Sequence, residues 1–255
     1  MPRLSYLSVS LTALAALAAF TWPLFIAADS STDLAQAVFI ALMPILVVMI
    51  LIEAGSGKLG SRQLAILGLL IALNSVIRLI GAGVTGIETA FFLIILGAYV
   101  FGAGFGFVLG SGSLLVSALL GAGVGPWLPF QMMAAGLVGI GAGLLAKMRG
   151  DVGRTNRVDL FILGSYGIVS SFAYGGLMTI WSWPFLAGST TSISYVAGAG
   201  IIENLSRFFK YELLTGGLAW DLGRAVTTLV LITLTGKALL TTLRRAANRA
   251  EVIKL

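Results

Sequence analysis

Arg78 and Glu88 are charged residues set at the edges of strongly apolar stretches, with a short glycine-bearing break between them. Ionisable groups at such positions are costly in lipid and usually face a cavity or a partner. The two can pair across the break; snorkelling with a structural ion pair is the plainer alternative. Asn74 lies one helical turn before Arg78 on the same face and extends a polar strip. Trp220-Asp221-Leu-Gly-Arg224 opens another apolar run in a similar way. Asp221 suits a helix N-terminus, where a carboxylate caps free N–H groups and meets the dipole; Arg224 has no such role. Gln131 closes the stretch Gly121-Ala-Gly-Val-Gly-Pro-Trp-Leu-Pro-Phe-Gln131. Glycines there allow positive φ and close approach, and two prolines fix φ and remove donors, so a continuous helix is excluded. The stretch reads either as a tight turn between two spans or as a rigid loop that lids a pocket.

Covalent chemistry has few candidates. With no cysteine and no histidine, disulfides, thiolates, zinc and haem ligation and imidazole acid–base work are removed. Ser165, Ser170 and Ser171 have no base near them in sequence, and a serine nucleophile needs one. No Gly-x-x-x-x-Gly-Lys-Ser/Thr loop occurs, so any ATPase would be another polypeptide. The chain is therefore expected to be no enzyme and to carry no metal or cofactor.

The elements that position these residues are set by composition. Hydrophobic residues make up 58% and charged residues 10%, against roughly 25% charged in a soluble domain; mean hydropathy is +1.02. This is the composition of an all-α, multi-pass integral membrane protein. With about 20 apolar residues per span, eight spans are expected: 7–28, 34–52, 64–82, a short 87–101, 105–120, 128–146, 160–180 and 225–243. The glycine-rich join at 101–105 is the weakest boundary and is read as separating two helices. Basic residues exceed acidic ones, 16 to 10. With the N-terminus inside, Arg3, Lys58, Arg62, Lys147, Arg149, Arg154, Arg157, Lys237, Arg244, Arg245, Arg249 and Lys254 fall on the cytoplasmic side. Only Arg78, Arg207, Lys210 and Arg224 lie toward the outside, together with Asp29 and Asp33. The positive-inside rule thus agrees with eight spans in a cell membrane and both termini cytoplasmic, and the basic excess implies no nucleic-acid partner. Arg3, an apolar run and Ala27-Ala28 imitate a signal peptide, but the run is long for one and contains Trp22-Pro23, so a retained helix is expected.

Residues 181–220 read as a long outer segment with a Ser/Thr/Gly stretch at 188–194. Within it, 201–214 places Ile202, Leu205, Phe208, Phe209 and Leu213 at helical spacing among Glu203, Arg207, Lys210 and Glu212, the pattern of an amphipathic interfacial helix. All five tryptophans (Trp22, Trp127, Trp181, Trp183 and Trp220) fall at expected outer ends, with Phe130 beside them. An interfacial aromatic belt accounts for Trp22; for Trp127, Trp181 and Trp183, belt and ligand enclosure both stand. Ala65, Gly68 and Ala72 share one face without bulk, which lets another helix approach closely. Leu137-Val-Gly-Ile-Gly-Ala-Gly143 likewise permits tight packing inside the bundle.

From Arg62 onward the chain resembles the substrate-binding S component of energy-coupling factor (ECF) vitamin transporters. The resemblance rests on Arg62-Gln-Leu-Ala-Ile-Leu-Gly-Leu-Leu-Ile-Ala-Leu-Asn-Ser-Val-Ile-Arg78, Phe105-Gly-Phe-Val-Leu-Gly110 and Gly125-Pro-Trp-Leu-Pro-Phe-Gln-Met132. It covers about three-quarters of the chain and implies a six-helix core over 58–255, preceded by a two-helix extension over 1–57. That extension, with Glu203-Asn-Leu-x-Arg207 and Trp220-Asp-Leu-Gly-Arg224, looks most like the cobalamin branch. The resemblance implies a module that captures a vitamin from outside and works with a transmembrane coupling subunit and two ATPase subunits. It would release substrate by toppling in the bilayer. Ligand would bind beneath the loops 83–86, 121–127 and 181–220, with Asn74, Arg78, Glu88, Gln131, Asn204, Arg207 and Arg224 as oriented polar contacts. Trp127, Phe130 and Trp183 would enclose it. Ala65, Gly68 and Ala72 map onto the family's small-residue face for the coupling subunit, with Gly-x-x-x-Ala in place of Ala-x-x-x-Ala.

Other classes fit less well. A stand-alone secondary transporter needs ionisable residues near the bilayer midplane, and five of the eight expected spans have none between their ends. An S component for another vitamin or small metabolite remains open. An intramembrane enzyme lacks a base for its serines, and a purely structural scaffold would need no polar outer cluster.

Overall fold

The structure is a computed structural model that describes residues 20–24, 47–53, 59–81, 87–150, 155–186 and 191–251, with the single positions 17, 37, 41, 45 and 55. Most of the expected spans 7–28 and 34–52, the loop 83–86 and the charges Arg3, Asp29, Asp33, Lys58, Arg154 and Lys254 lie outside the described residues. Among those described, every regular element is helical. The helices are α1 (Ser61–Gly81), α2 (Phe91–Phe101), α3 (Ala103–Ser117), α4 (Leu128–Arg149), α5 (Arg157–Leu186), α6 (Ile201–Leu214) and α7 (Gly217–Glu251). Five of them are long and apolar enough to cross a membrane, α3 being counted with the π-helical turn Ala118–Ala122 that continues it.

The shortest apolar helix is the central one. Nine residues of α2 are buried, and it packs against α1, α3, α4, α5 and α7. A sequence apolar on every side, Phe91-Phe-Leu-Ile-Ile-Leu-Gly-Ala-Tyr-Val-Phe101, belongs inside a bundle. α2 ends where Gly102 adopts φ 95°, which a side chain would resist, and α3 begins at the next residue. Two helices, rather than one long kinked helix, thus occupy 91–117.

α3 and α4 meet backbone to backbone. A β-carbon on Gly106 would stand 2.5 Å from the Gly139 carbonyl oxygen, one on Gly110 2.3 Å from that of Ala135, and one on Gly143 2.3 Å from the Ala103 nitrogen. In lipid, where apolar side chains gain little by leaving their solvent, close packing of small residues is what joins helices. Ser111 strengthens the seam by donating its hydroxyl to the Met132 carbonyl at 2.9 Å.

The bundle has two distinct ends. One carries Arg62, Lys147, Arg149, Arg157, Arg244, Arg245 and Arg249, and Arg62 donates to the Arg249 carbonyl at 2.7 Å. A single carboxylate organises this basic end. Asp159 is fully buried, accepts from the Tyr99 hydroxyl (3.0 Å) and the Asn156 N–H (3.1 Å), and lies 3.7 Å from Arg149 and 3.6 Å from Arg244. The Asn156 side chain returns a bond to the Asp159 N–H at 2.9 Å, a reciprocal cap for the start of α5. α2, α4, α5 and α7 are tied through this one side chain.

At the opposite end α5 runs further than expected, to Leu186, so Trp181 and Trp183 ride on a helix rather than on a loop. Pro184, two residues from the end of α5, has no N–H to offer the Ile180 carbonyl, and the helix stops soon after it. α6 covers the residues expected to be amphipathic. α7 begins before Trp220 and continues through the C-terminal arginines, well beyond the apolar window 225–243.

Candidate functional site

The end opposite the arginine cluster contains a cavity of ≈ 330 Å³. α1 contributes Arg78 and Gly81; the segment before α2 adds Ile87 and Glu88; the π-helical turn adds Ala122. Gln131 comes from the first turn of α4, Tyr174 and Met178 from α5, and Trp220 and Arg224 from α7. Four residues expected at a site (Arg78, Glu88, Gln131 and Arg224) thus meet in one concavity, with Trp220 at its rim.

The segment 121–131 is folded as its residue types require. Gly121 and Gly123 take φ 132° and 94°, values open to glycine. The indole of Trp127 lies back over Gly125, where a β-carbon would be 2.3 Å from the ring. Pro129 sits in the first turn of α4, where its missing N–H costs nothing. This hands Gln131 to the cavity and leaves Trp127 43% exposed and outside the cavity's lining.

Charge in the cavity is balanced but loosely held. Arg78 Nε is 3.8 Å from Glu88 Oε2, and Arg78 Nη1 donates to Ser117 Oγ at 3.0 Å. Glu88 Oε1 accepts from the Ala90 N–H at 3.3 Å. Arg224 is paired with Asp221, donates to the Ser171 carbonyl at 3.1 Å, and lies 4.8 Å from the centroid of the Tyr174 ring. The Nε atoms of both arginines are buried and donate to no protein acceptor among the described residues. One turn below Arg78, Asn74 is fully buried, and neither its oxygen nor its nitrogen has a protein partner among the described residues. Ser75 and Ser113 continue this strip between α1 and α3, Ser75 Oγ donating to the Ser113 carbonyl at 3.1 Å.

The other expected contacts lie elsewhere. Trp183 is fully buried, donates Nε1 to the Ile193 carbonyl at 2.8 Å, and packs edge-on against Tyr195 and Phe208. Asn204 clips Val196 through both its amide atoms, at 3.2 and 2.9 Å. Arg207 pairs with Glu203 at 3.0 Å on the outer side of α6. Trp183 and Asn204 fasten residues 191–196 to α5 and α6, and the Trp183–Phe208 contact holds α6 against α5. Phe130 is buried against Phe20 and Trp181, with ring centroids 5.5 and 4.1 Å away. Trp22 packs against Phe185 and Tyr195, so the segment around the turn Trp22–Leu24 touches the aromatic wall beside the site. Ala65, Gly68 and Ala72 lie exposed on the outer face of α1, and nothing stands within 4 Å of where a Gly68 β-carbon would be.

Sequence reasoning passed over Tyr174, Met178, Ser117 and Asp159. A signal existed for the first two: Ser171, Tyr174 and Met178 fall at i, i+3 and i+7 on one face of α5. Burial also marks Glu212 of α6. Removal from water pushes its carboxyl above the usual carboxylate range, with the Thr179 hydroxyl offsetting part of that.

Chemically, the cavity offers donors, acceptors and aromatic faces without a nucleophile–base pair, and no cluster of metal-ligating residues occurs among the described residues. Comparison with family models, with curated proteins and with solved structures returns no match.

Proposed function

We propose that the chain is the vitamin-binding membrane subunit of an ECF-type importer. It would take up its ligand at the tryptophan-bearing end, and energy would come from two ATPase subunits acting through a transmembrane coupling subunit. The observation that carries this reading is the cavity of ≈ 330 Å³, walled by polar groups from separate helices and flanked by the Gly-Pro-Trp-Leu-Pro-Phe-Gln segment. A few oriented polar groups in an otherwise apolar concavity are how small-molecule sites are built. The arginine cluster at the far end supports a cytoplasmic face there, in a cell membrane with both termini inside. That would turn the cavity outward. The exposed face of Ala65, Gly68 and Ala72 is left for the coupling subunit.

The resemblance favours cobalamin as the vitamin. The cavity volume favours a smaller one, because drug-sized ligands occupy roughly 300–1,000 Å³ and a corrinoid is larger than those. Calorimetry on the purified chain in lipid nanodiscs, without ATP, tests both readings. Heat with cobalamin establishes the first, heat with a smaller vitamin the second, and silence across a vitamin panel overturns the function.

A further inference from the structure

Beside the charged cavity lies a second one, of ≈ 370 Å³, walled by Pro126, Trp127, Trp181, Phe185 and Leu186 with Thr179 and Ser182. Its surface is almost wholly apolar. Ser182 turns its hydroxyl back onto the Met178 carbonyl at 2.9 Å, withdrawing that polar atom from the space. The two cavities share one wall residue, Met178. An unbranched thioether with three rotatable bonds is the side chain best able to move aside or refill such a gap.

The charged chamber has no preferred sign. Arg78 faces Glu88 and Arg224 faces Asp221, so a ligand of either net charge enters a site that is already neutral. It would leave one charge uncompensated in a low-dielectric space, which is costly. The pair Arg78–Glu88, at 3.8 Å, is open enough to admit a group that supplies both an acceptor to the guanidinium and a donor to the carboxylate. The Gln131 amide can do either.

We infer that these chambers, joined through Met178, form one bipartite site for an amphipathic small molecule. Its hydrogen-bonding head has zero net charge and lies between Arg78, Glu88 and Arg224, and its apolar ring or chain lies against Trp127, Trp181 and Phe185. This rests on the binding function proposed above and adds the chemical class of the ligand.

A matched series of probes tests it: phenylalanine, 3-phenylpropionate, phenethylamine and glycine, titrated by ligand-observed NMR onto the protein in nanodiscs. The first three share a ring and differ in head charge; the last has the zwitterionic head alone. Phenylalanine is expected to bind at least tenfold more tightly than each of the others. Trp127→Ala should weaken phenylalanine at least tenfold while leaving glycine unchanged, and Met178→Trp, which fills the wall common to both chambers, should weaken phenylalanine at least tenfold. Trp127 is half-exposed, so its removal tests the apolar chamber even if Met178→Trp folds poorly. Equal binding of a charged analogue overturns the neutral head. Equal binding of glycine assigns the apolar chamber to membrane lipid instead, and binding by none of the four rejects the site. A chain that binds a vitamin by calorimetry yet fails this series keeps the transport function and loses the bipartite ligand.

Discussion

Asp159→Ala separates the frame of this protein from its site. Asp159 is fully buried, and four groups from four elements converge on it: Tyr99, Arg149, Arg244 and the Asn156 N–H. Removing it leaves the Tyr99 hydroxyl without its acceptor and takes the carboxylate from Arg149 and Arg244, whose side chains are 31% and 23% exposed and so partly solvated. The loss of charged hydrogen bonds with partial solvation of the partners costs roughly 1–3 kcal/mol, and about 2–4 °C of Tm per kcal/mol applies at this chain length, so the expected fall is about 2–12 °C. The cavity should hardly notice. Tyr174 lies about 22 Å from Asp159 along α5, at 1.5 Å per residue, and ligand affinity should change less than threefold. The assay is a thermal-shift series in nanodiscs on Asp159→Ala, Asp159→Asn, Tyr99→Phe and the doubles. Asp159→Asn should fall between Ala and wild type, since it keeps an acceptor for Tyr99 but loses the charge. A change below about 1 kcal/mol for Asp159→Ala, or a tenfold loss of ligand affinity with Tm intact, refutes the division between a locked end and a binding end.

Three further outcomes are expected. Gly139→Leu should abolish accumulation of folded protein, because even a β-carbon would lie 2.1 Å from the Gly106 carbonyl oxygen; a monodisperse variant with normal Tm would discount the seam. Gly68→Leu meets open space, so Tm and vitamin affinity should stay, while co-purification with a coupling subunit falls at least tenfold; unchanged co-purification removes that face from the proposal. For Glu212, burial raises the folded-state pKa above its unfolded value. The folded form therefore holds the extra proton between those two values, and stability falls as pH rises through that window. Protection factors of the α6 amides, with the intrinsic base-catalysed rate divided out, should fall as pH rises, and Glu212→Gln should flatten that dependence; an identical pH response of the protection factors in the variant dismisses the cause.

What the sequence revealed, and what it hid, follows the range of the interactions. The break at Gly102, the positive φ of Gly121 and Gly123, and the amphipathic stretch of α6 are local, and residue types specify them. The ends of α5 and α7 were misjudged because hydropathy ends where lipid ends, whereas a helix ends where its hydrogen bonds run out. Trp183 and Asn204 read as ligand contacts because their types suit a pocket. Only the tertiary path shows that an indole N–H is spent on Ile193 and an amide on Val196. Asp159 gave the least warning: an acidic residue among many basic ones looks like surface charge until four helices are seen to close around it. Arg78 and Glu88 face each other across one short break, whereas Gln131 and Arg224 are distant from them in the chain and share no periodicity with them. What linked them was cost, since each is a polar group placed where lipid would penalise it.

That cost also distinguishes the two ends of the bundle. At the basic end the buried carboxylate has a hydroxyl, a backbone N–H and two guanidiniums around it, and α3 and α4 approach until backbones touch. At the tryptophan-bearing end Asn74 has no protein partner among the described residues and Glu88 faces one guanidinium at 3.8 Å; arginine nitrogens buried without an acceptor among those residues occur at both ends, Nε of Arg78 and Arg224 here, Arg149 Nε and Arg244 Nη1 at the other. Of these groups Arg78 and Arg224 line the cavity; their Nε atoms have already been removed from water, so a ligand that pairs with them gains more than the same contact would yield at an exposed surface. Two aromatic residues that precede α1 bear on this directly. Phe20, fully buried against Phe130, and Trp22, against Phe185, hold the aromatic wall from a part of the chain well upstream of α1. Glu53, from the same upstream part of the chain, reaches Gly104 near the start of α3, so the described residues that precede α1 touch the bundle near both of its ends.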